Sequence, residues 1–261
     1  MISRIKLLLS LFICITIVAG AQESEYQKHW LIRGNDTLPY RLLLPKNYDP
    51  AKEYPLLLFL HGAGERGNDN LAQLMHGSKL FLNDTVRSSY PAIVVFPQCP
   101  ANSYWSNVKV VYDSLSKKRV FNFLVDGEPT MAMKMVIELL DELEDTYKLD
   151  DDRYYIGGLS MGGMGTFELV RRKPKMFAAA FPICGGANTA TAKKLKHPDW
   201  WIFHGLKDNV VPPELSQQMA DAIKRTGAKV NLTLYPEANH NSWDPAFAEK
   251  DLLPWLFSRK K

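Results

Sequence analysis

Hydrophobic residues arrive along this chain in short blocks whose internal pattern changes from one block to the next. "HWLIRGNDTLPYRLLLP" sets two apolar-rich runs around Gly34-Asn35-Asp36, residues that suit a tight reversal, and predicts a pair of short strands. "YPLLLFLHGAG" and "YPAIVVFPQCP" are continuous apolar runs of strand length, the pattern of strands covered on both faces. "FAAAFPICGG", "WWIFHGLKD" and "KVNLTLYPEANH" add three more strands. Between them the period lengthens. "PTMAMKMVIELLDELEDTYKL" has helical spacing with acids on its outer face, and "PPELSQQMADAIKRTG" starts on proline and ends on Gly227, as helices do. "DRYYIGGLSMGGMGTFELVRRKP" reads as strand, tight turn and helix, with Pro174 just past the helix, and "SWDPAFAEKDLLPWLFSRK" is mostly helical. Buried strands alternating with helices predict a single α/β domain: a mostly parallel central sheet with helices on both faces. In such sheets function collects at the carboxyl ends of the strands, and the unusual clusters of this sequence fall there.

The first residues follow another pattern. Arg4 and Lys6 precede the uncharged stretch "LLLSLFICITIVAG", and Ala19-Gly20-Ala21 offers small residues for cleavage. The apolar core is shorter than the roughly 20 residues of a membrane-spanning helix. Residues 1–21 are therefore expected to be a signal peptide cleaved after Ala21, leaving 22–261 as the folded domain, secreted or periplasmic and without a stable membrane anchor. An uncleaved anchor helix is the alternative. Cys14 sits behind Phe12 and Ile13 inside the apolar core, which is not a lipoprotein pattern.

Charge narrows the partners. The 261 residues carry a formal charge of +4, which falls to +2 without Arg4 and Lys6. "KKLK" at 193–196 and the terminal "RKK" read as solvated surface, and no basic stripe or interleaved aromatic platform points to nucleic acid. The oligomeric state leaves no mark on the sequence.

Chemistry concentrates in Gly158-Leu159-Ser160-Met161-Gly162, a G-x-S-x-G between a strand and a helix. In that context the turn projects the serine oxygen above the sheet, and Gly158 and Gly162 lack side chains because backbone passes close by. A phosphate-binding loop fits less well, since neither the Lys-Ser/Thr ending of a P-loop nor G-x-G-x-x-G occurs here. A serine hydroxyl needs a base to take its proton, and that base needs an orienting acid. Among the histidines, His29 lies in the first strand, His76 and His197 lie in polar segments, and His204 ends a strand but precedes every candidate acid. His240, in "PEANHNSW", follows a late strand, and Asp208 lies just beyond "WWIFHGLKD". Glu237 and Asp244 are rival acids; Asp199 precedes its strand and would lie at the wrong end of the sheet. An oxyanion formed at Ser160 would find the backbone N–H of Met161 and one from the loop "HGAGERGND", Ala63 first and Gly64 second. No residue set calls for a metal or an organic cofactor.

Serine, acid and histidine in this order resemble the α/β-hydrolase superfamily over nearly all of 22–261. More closely, "HGAGERG", "PQCP", "GLSMGG", "HGLKDNVVP" and "NHNSW" resemble secreted bacterial esterases of the feruloyl and acetylxylan esterase type, carbohydrate esterase family one. The resemblance implies Ser160 as nucleophile, His240 as general base and then acid, Asp208 as its orienter, and release of acyl groups from plant polysaccharide or oligosaccharide. Two other readings stand beside it: a small peptidase of the prolyl-oligopeptidase type, and a hydrolase fold kept as a non-catalytic binding module.

Two expectations concern the rim. The stretch 101–129 is a long connection after a strand, so Tyr104 and Trp105, with Trp243, are expected to form an aromatic wall at the substrate, or else to pack against the domain. Cys99 and Cys184 should end strands separated by two others. Three spacings of about 4.8 Å far exceed the roughly 7 Å between bridged Cα atoms, so the two are expected to be unpaired.

Overall fold

The computed structural model describes residues 25–115 and 117–261; the expected signal peptide lies outside the described residues. β1 (Gln27–Arg33) and β2 (Asp36–Leu43) form the antiparallel pair around Gly34. β3 (Tyr54–Leu60) is followed by two short helices, α1 (Ser78–Leu82) and α2 (Asp84–Ser89), and then by β4 (Ile93–Pro97). A hairpin, β5 (Val108–Asp113) and β6 (Lys118–Phe123), leads to α3 (Met131–Thr146), β7 (Leu149–Leu159) and α4 (Met161–Arg172). β8 (Ala179–Ile183), β9 (Asp199–Gly205), α5 (Pro213–Lys224), β10 (Val230–Tyr235), α6 (Trp243–Phe247) and α7 (Leu252–Phe257) complete the chain.

Eight strands form one sheet in the order β1-β2-β4-β3-β7-β8-β9-β10, and β5-β6 form a separate two-stranded sheet. β1 and β2 join antiparallel, and every pairing from β4 to β10 is parallel. The unbroken apolar runs have a direct cause. In β3, Leu56, Leu58 and Leu60 enter the core shared with α3, α4 and α5, while Leu57 and Phe59 enter the opposite core with Phe81, Ala246 and Leu252. A period of two between two buried faces leaves no polar position. α3 starts where the Thr130 side chain accepts from the Met133 N–H, and buries Ala132, Met133, Val136, Leu139, Leu140 and Leu143 on one stripe.

The stretch 101–129 is more ordered than a long connection. Its middle alternates well enough to pair Val108 to Asp113 with Phe123 to Lys118. The hairpin's base is tied down by three donors: Asn188 to the Phe123 carbonyl (3.0 Å), Arg171 to that of Val125 (3.1 Å) and Arg172 to that of Gly127 (3.0 Å). Cys99 and Cys184 are buried and unpaired, with β3 and β7 between their strands. Among the described residues, no helix is long and apolar enough to cross a membrane.

Candidate active site

Ser160 occupies the junction of β7 and α4 with φ 54° and ψ −115°. A non-glycine residue avoids positive φ, so something must hold it there. Its N–H donates to the Ile183 carbonyl (2.9 Å), and its carbonyl accepts from the Met164 N–H (3.0 Å). The flanking glycines are required by space. A Cβ on Gly162 would lie 1.8 Å from the Leu60 oxygen, and one on Gly158 would lie 2.4 Å from the Gly162 oxygen. The turn is thus pressed against the end of β3.

Asp208 lies three residues beyond β9, its side chain fully buried. Oδ1 accepts from the N–H groups of Val210 (2.8 Å) and Val211 (2.9 Å) in the turn leading to α5. Oδ2 accepts from His240 Nδ1 (2.7 Å) and His204 Nε2 (3.1 Å). Burial alone would raise its pKa. The hydrogen bonds from His204 and His240, then from Val211, outweigh that and hold the carboxyl well below the usual carboxylate range. His240 sits in the loop after β10, and its Nε2 is 2.9 Å from Ser160 Oγ. A carboxylate only accepts, so Nδ1 carries the proton toward Asp208 and Nε2 is left to accept the Ser160 hydroxyl. Three residues from three separate loops therefore form one hydrogen-bonded chain.

The rivals are engaged elsewhere. Glu237 pairs with Lys207 on the surface, Asp244 accepts from Asn241 (3.1 Å), and Asp199 at the start of β9 pairs with Arg259 (3.1 Å).

The loop after β3 closes over the serine. A Cβ on Gly62 would stand 3.8 Å from that of Ser160. Ala63 opens a short 3₁₀ turn and Met161 opens α4. Residues in those places have N–H groups without a partner in their own helix.

Of the expected aromatic wall, only Trp243 is placed beside the three residues. It is half-buried, its ring edge-on to His240 (5.5 Å) and against His76 (4.9 Å). Trp105 follows the alternative of packing against the domain and not that of the wall: it is fully buried, its indole N–H donating to the His61 carbonyl (3.1 Å) just before the Gly62–Ala63 loop. Tyr104 is half-buried, with its hydroxyl on the Met164 sulfur (3.7 Å), so it rests against α4.

Sequence reasoning passed over His61 and set His204 aside as a base without seeing that it contacts the acid. His61 is buried, which pushes its pKa down to about 4. Its Nδ1 donates to the Gly62 carbonyl (2.6 Å) and its Nε2 accepts from the Cys99 N–H (2.9 Å), tying the loops after β3 and β4 together. His204 precedes Asp208 by four residues and shares its oxygen. The available signal for each was a histidine before glycine at the end of an apolar strand, "LHG" and "FHG".

Cys184, Asp208 and His240 bring potential metal-binding atoms within 4.8 Å of one another. They suit a metal poorly, because burial and then the Asp208 charge push the Cys184 thiol far above its usual range, and the other two already bind each other.

Comparison with known proteins identifies the family and the fold. The phospholipase/carboxylesterase family matches residues 48–250. The bifunctional acetylxylan esterase/xylanase XynS20E of Neocallimastix patriciarum is 27% identical over 64% of this chain and 21% of its own length. Lysophospholipase-like protein 1 of Mus musculus is 26% identical over 78% of this chain and 86% of its own. The probable feruloyl esterase C of Aspergillus oryzae is 26% identical over 76% and 66%. A solved thermostable esterase is 33% identical with a TM-score of 0.81, covering 91% of this chain and 64% of that one. This chain thus spans about a fifth of the first relative and less than two thirds of the solved esterase.

Proposed function

The chain belongs to the phospholipase/carboxylesterase family of α/β hydrolases, and from that premise we propose that it is an exported serine esterase that removes acetyl or feruloyl groups from plant polysaccharide or oligosaccharide. The observation that carries the chemistry is the position of His240, 2.9 Å from Ser160 Oγ on one side and 2.7 Å from Asp208 on the other. As Ser160 Oγ attacks the ester carbonyl, His240 Nε2 takes its proton, and Asp208 steadies the imidazolium. The N–H groups of Ala63 and Met161 receive the carbonyl oxygen as it gains charge; one such donor is typically worth ~10²–10³ in rate. His240 returns the proton to the departing sugar oxygen. Water then gives a proton to His240 and attacks the acyl carbon, releasing the acid and restoring the serine. Every step is a proton or acyl transfer, so the reaction calls for no cofactor. Trp243, beside His240, is suited to pack against an acyl group or sugar ring.

The substrate reading draws support from relatives named for acetylxylan and feruloyl esterase activity. Export draws support from the order of basic, apolar and small residues in 1–21.

The test is hydrolysis of p-nitrophenyl acetate, followed by chromatography of acid released from acetylated xylan, feruloylated arabinoxylan and a lysophospholipid. We expect acetate or ferulate release, and a Ser160→Ala variant reduced to background. Equal rates in native protein and variant would overturn the esterase reading. Release from the lysophospholipid alone would overturn the polysaccharide reading.

A further inference from the structure

His204 is fully buried near the end of β9, and its ring has three polar neighbours. Nδ1 lies 2.7 Å from Ser216 Oγ on α5, and that hydroxyl lies 2.9 Å from the Gly185 carbonyl. Nε2 lies 3.1 Å from Asp208 Oδ2 and 3.0 Å from the Val211 carbonyl. A carboxylate and a carbonyl only accept, so Nε2 carries a proton in either charge state of the ring. Ser216 suits both states: its hydroxyl can give its proton to Nδ1, or accept from Nδ1 while donating to Gly185.

Asp208 Oδ2 is therefore shared. It takes one N–H from His240, the base of the proposed reaction, and one from His204, which lies away from the reacting atoms. We propose that His204 is a positioning residue for this reaction: it locks the Asp208 carboxylate in place and, by drawing on the charge of Oδ2, sets how tightly that carboxylate holds the proton on His240. The inference rests on the esterase reading. Its physical content is competition. Each N–H on Oδ2 stabilises the ionised carboxylate and draws on the same negative charge, so a second donor leaves less of that charge for the first. A tighter hold on imidazolium would favour an enzyme that keeps its proton and cannot act as base. The titratable groups facing His204 and its carboxylate are Asp208 itself, His240 across it, and the Cys184 thiol at the end of β8. Ser216 and the carbonyls of Gly185 and Val211 complete its surroundings.

The experiment compares native protein, Ser160→Ala, His204→Phe and His204→Gln in p-nitrophenyl acetate hydrolysis from pH 5 to 9, with folding checked by circular dichroism. Phenylalanine keeps a buried aromatic ring and removes both nitrogens, whereas glutamine can return an N–H to the place of Nε2. His204→Phe is expected to lower kcat by about 10–100-fold, the scale of one hydrogen bond to a charged group. KM should stay within about twofold, and the acid limb of the profile should move to higher pH. His204→Gln should recover most of kcat and move the limb back. A folded His204→Phe with native kcat and an unmoved limb, or a glutamine variant no better than it, would overturn the inference. If His204→Phe fails to fold, Ser216→Ala decides. It leaves His204 whole but frees the ring to turn from Oδ2, so a lower kcat at constant KM is expected and an unchanged kcat refutes the proposal. Native protein no faster than Ser160→Ala would instead overturn the esterase reading and this inference with it.

Discussion

Ser160 sits in a backbone conformation that costs an ordinary residue about 1–3 kcal/mol, held by hydrogen bonds to Ile183 and Met164 at either side. Asp208, with four donors on two oxygens, is its counterpart in charge. The depressed pKa of Asp208 is a statement about stability. Its contribution is fully present above the ordinary carboxylate pKa of about 3.9 and is lost as pH falls through the lower folded value. Asp208→Asn should therefore lower kcat by about 10⁴-fold, since an amide no longer fixes the His240 tautomer. The stability gap between native and variant should shrink as urea titrations move from pH 7 to pH 3; a constant gap would contradict the charge argument. A second expectation concerns the thiols. Burial pushes Cys99 up to about 12 and Cys184 higher still, so a thiol reagent at pH 8 should label neither in folded protein and both in urea. Ser160, Asp208 and His240 were legible from sequence because each follows a strand by a few residues, in the chain order of the α/β-hydrolase fold. His61, His204 and Trp105 were not, because their letters carry no sign of what closes over them: only the fold makes His204 a partner of Asp208 and removes Trp105 from solvent.

At the scale of elements, strands read well and the hairpin did not. A buried parallel strand such as β3 writes its environment as an unbroken apolar run. β5 and β6 mix Val110, Tyr112 and Phe121 with lysine, arginine and asparagine and remain largely exposed, so their alternation stands out little from a polar loop. Two predictions belong here. Gly162→Ala forces a methyl into the Leu60 carbonyl, and should cost at least about 3 kcal/mol or prevent folding; a denaturant midpoint within experimental error of native would refute the close approach. Replacing residues 109–122 by a short turn removes an exposed ribbon whose anchors lie at 123–128. It should lower Tm by only a few degrees, the scale of about 1 kcal/mol in a domain of this size. A collapse of cooperative unfolding would show that the ribbon supports the core.

Across the whole molecule, the strand order puts β7 at the centre with β3 on one side and β8, β9 and β10 on the other. The loop after β3, the serine turn after β7, the acid after β9 and the histidine after β10 then meet along one rim, although Ser160 and His240 are 80 residues apart. Two apolar cores, one on each face of the sheet, pack the strands that carry that rim. The central claim is that this convergence makes Ser160 the nucleophile, and it is tested most directly by a fluorophosphonate probe read by peptide mass mapping. The account predicts one adduct, on the tryptic peptide 154–171 at Ser160, absent from Ser160→Ala and much slower to form in His240→Ala. An adduct on another residue, or equal labelling with and without His240, would contradict it.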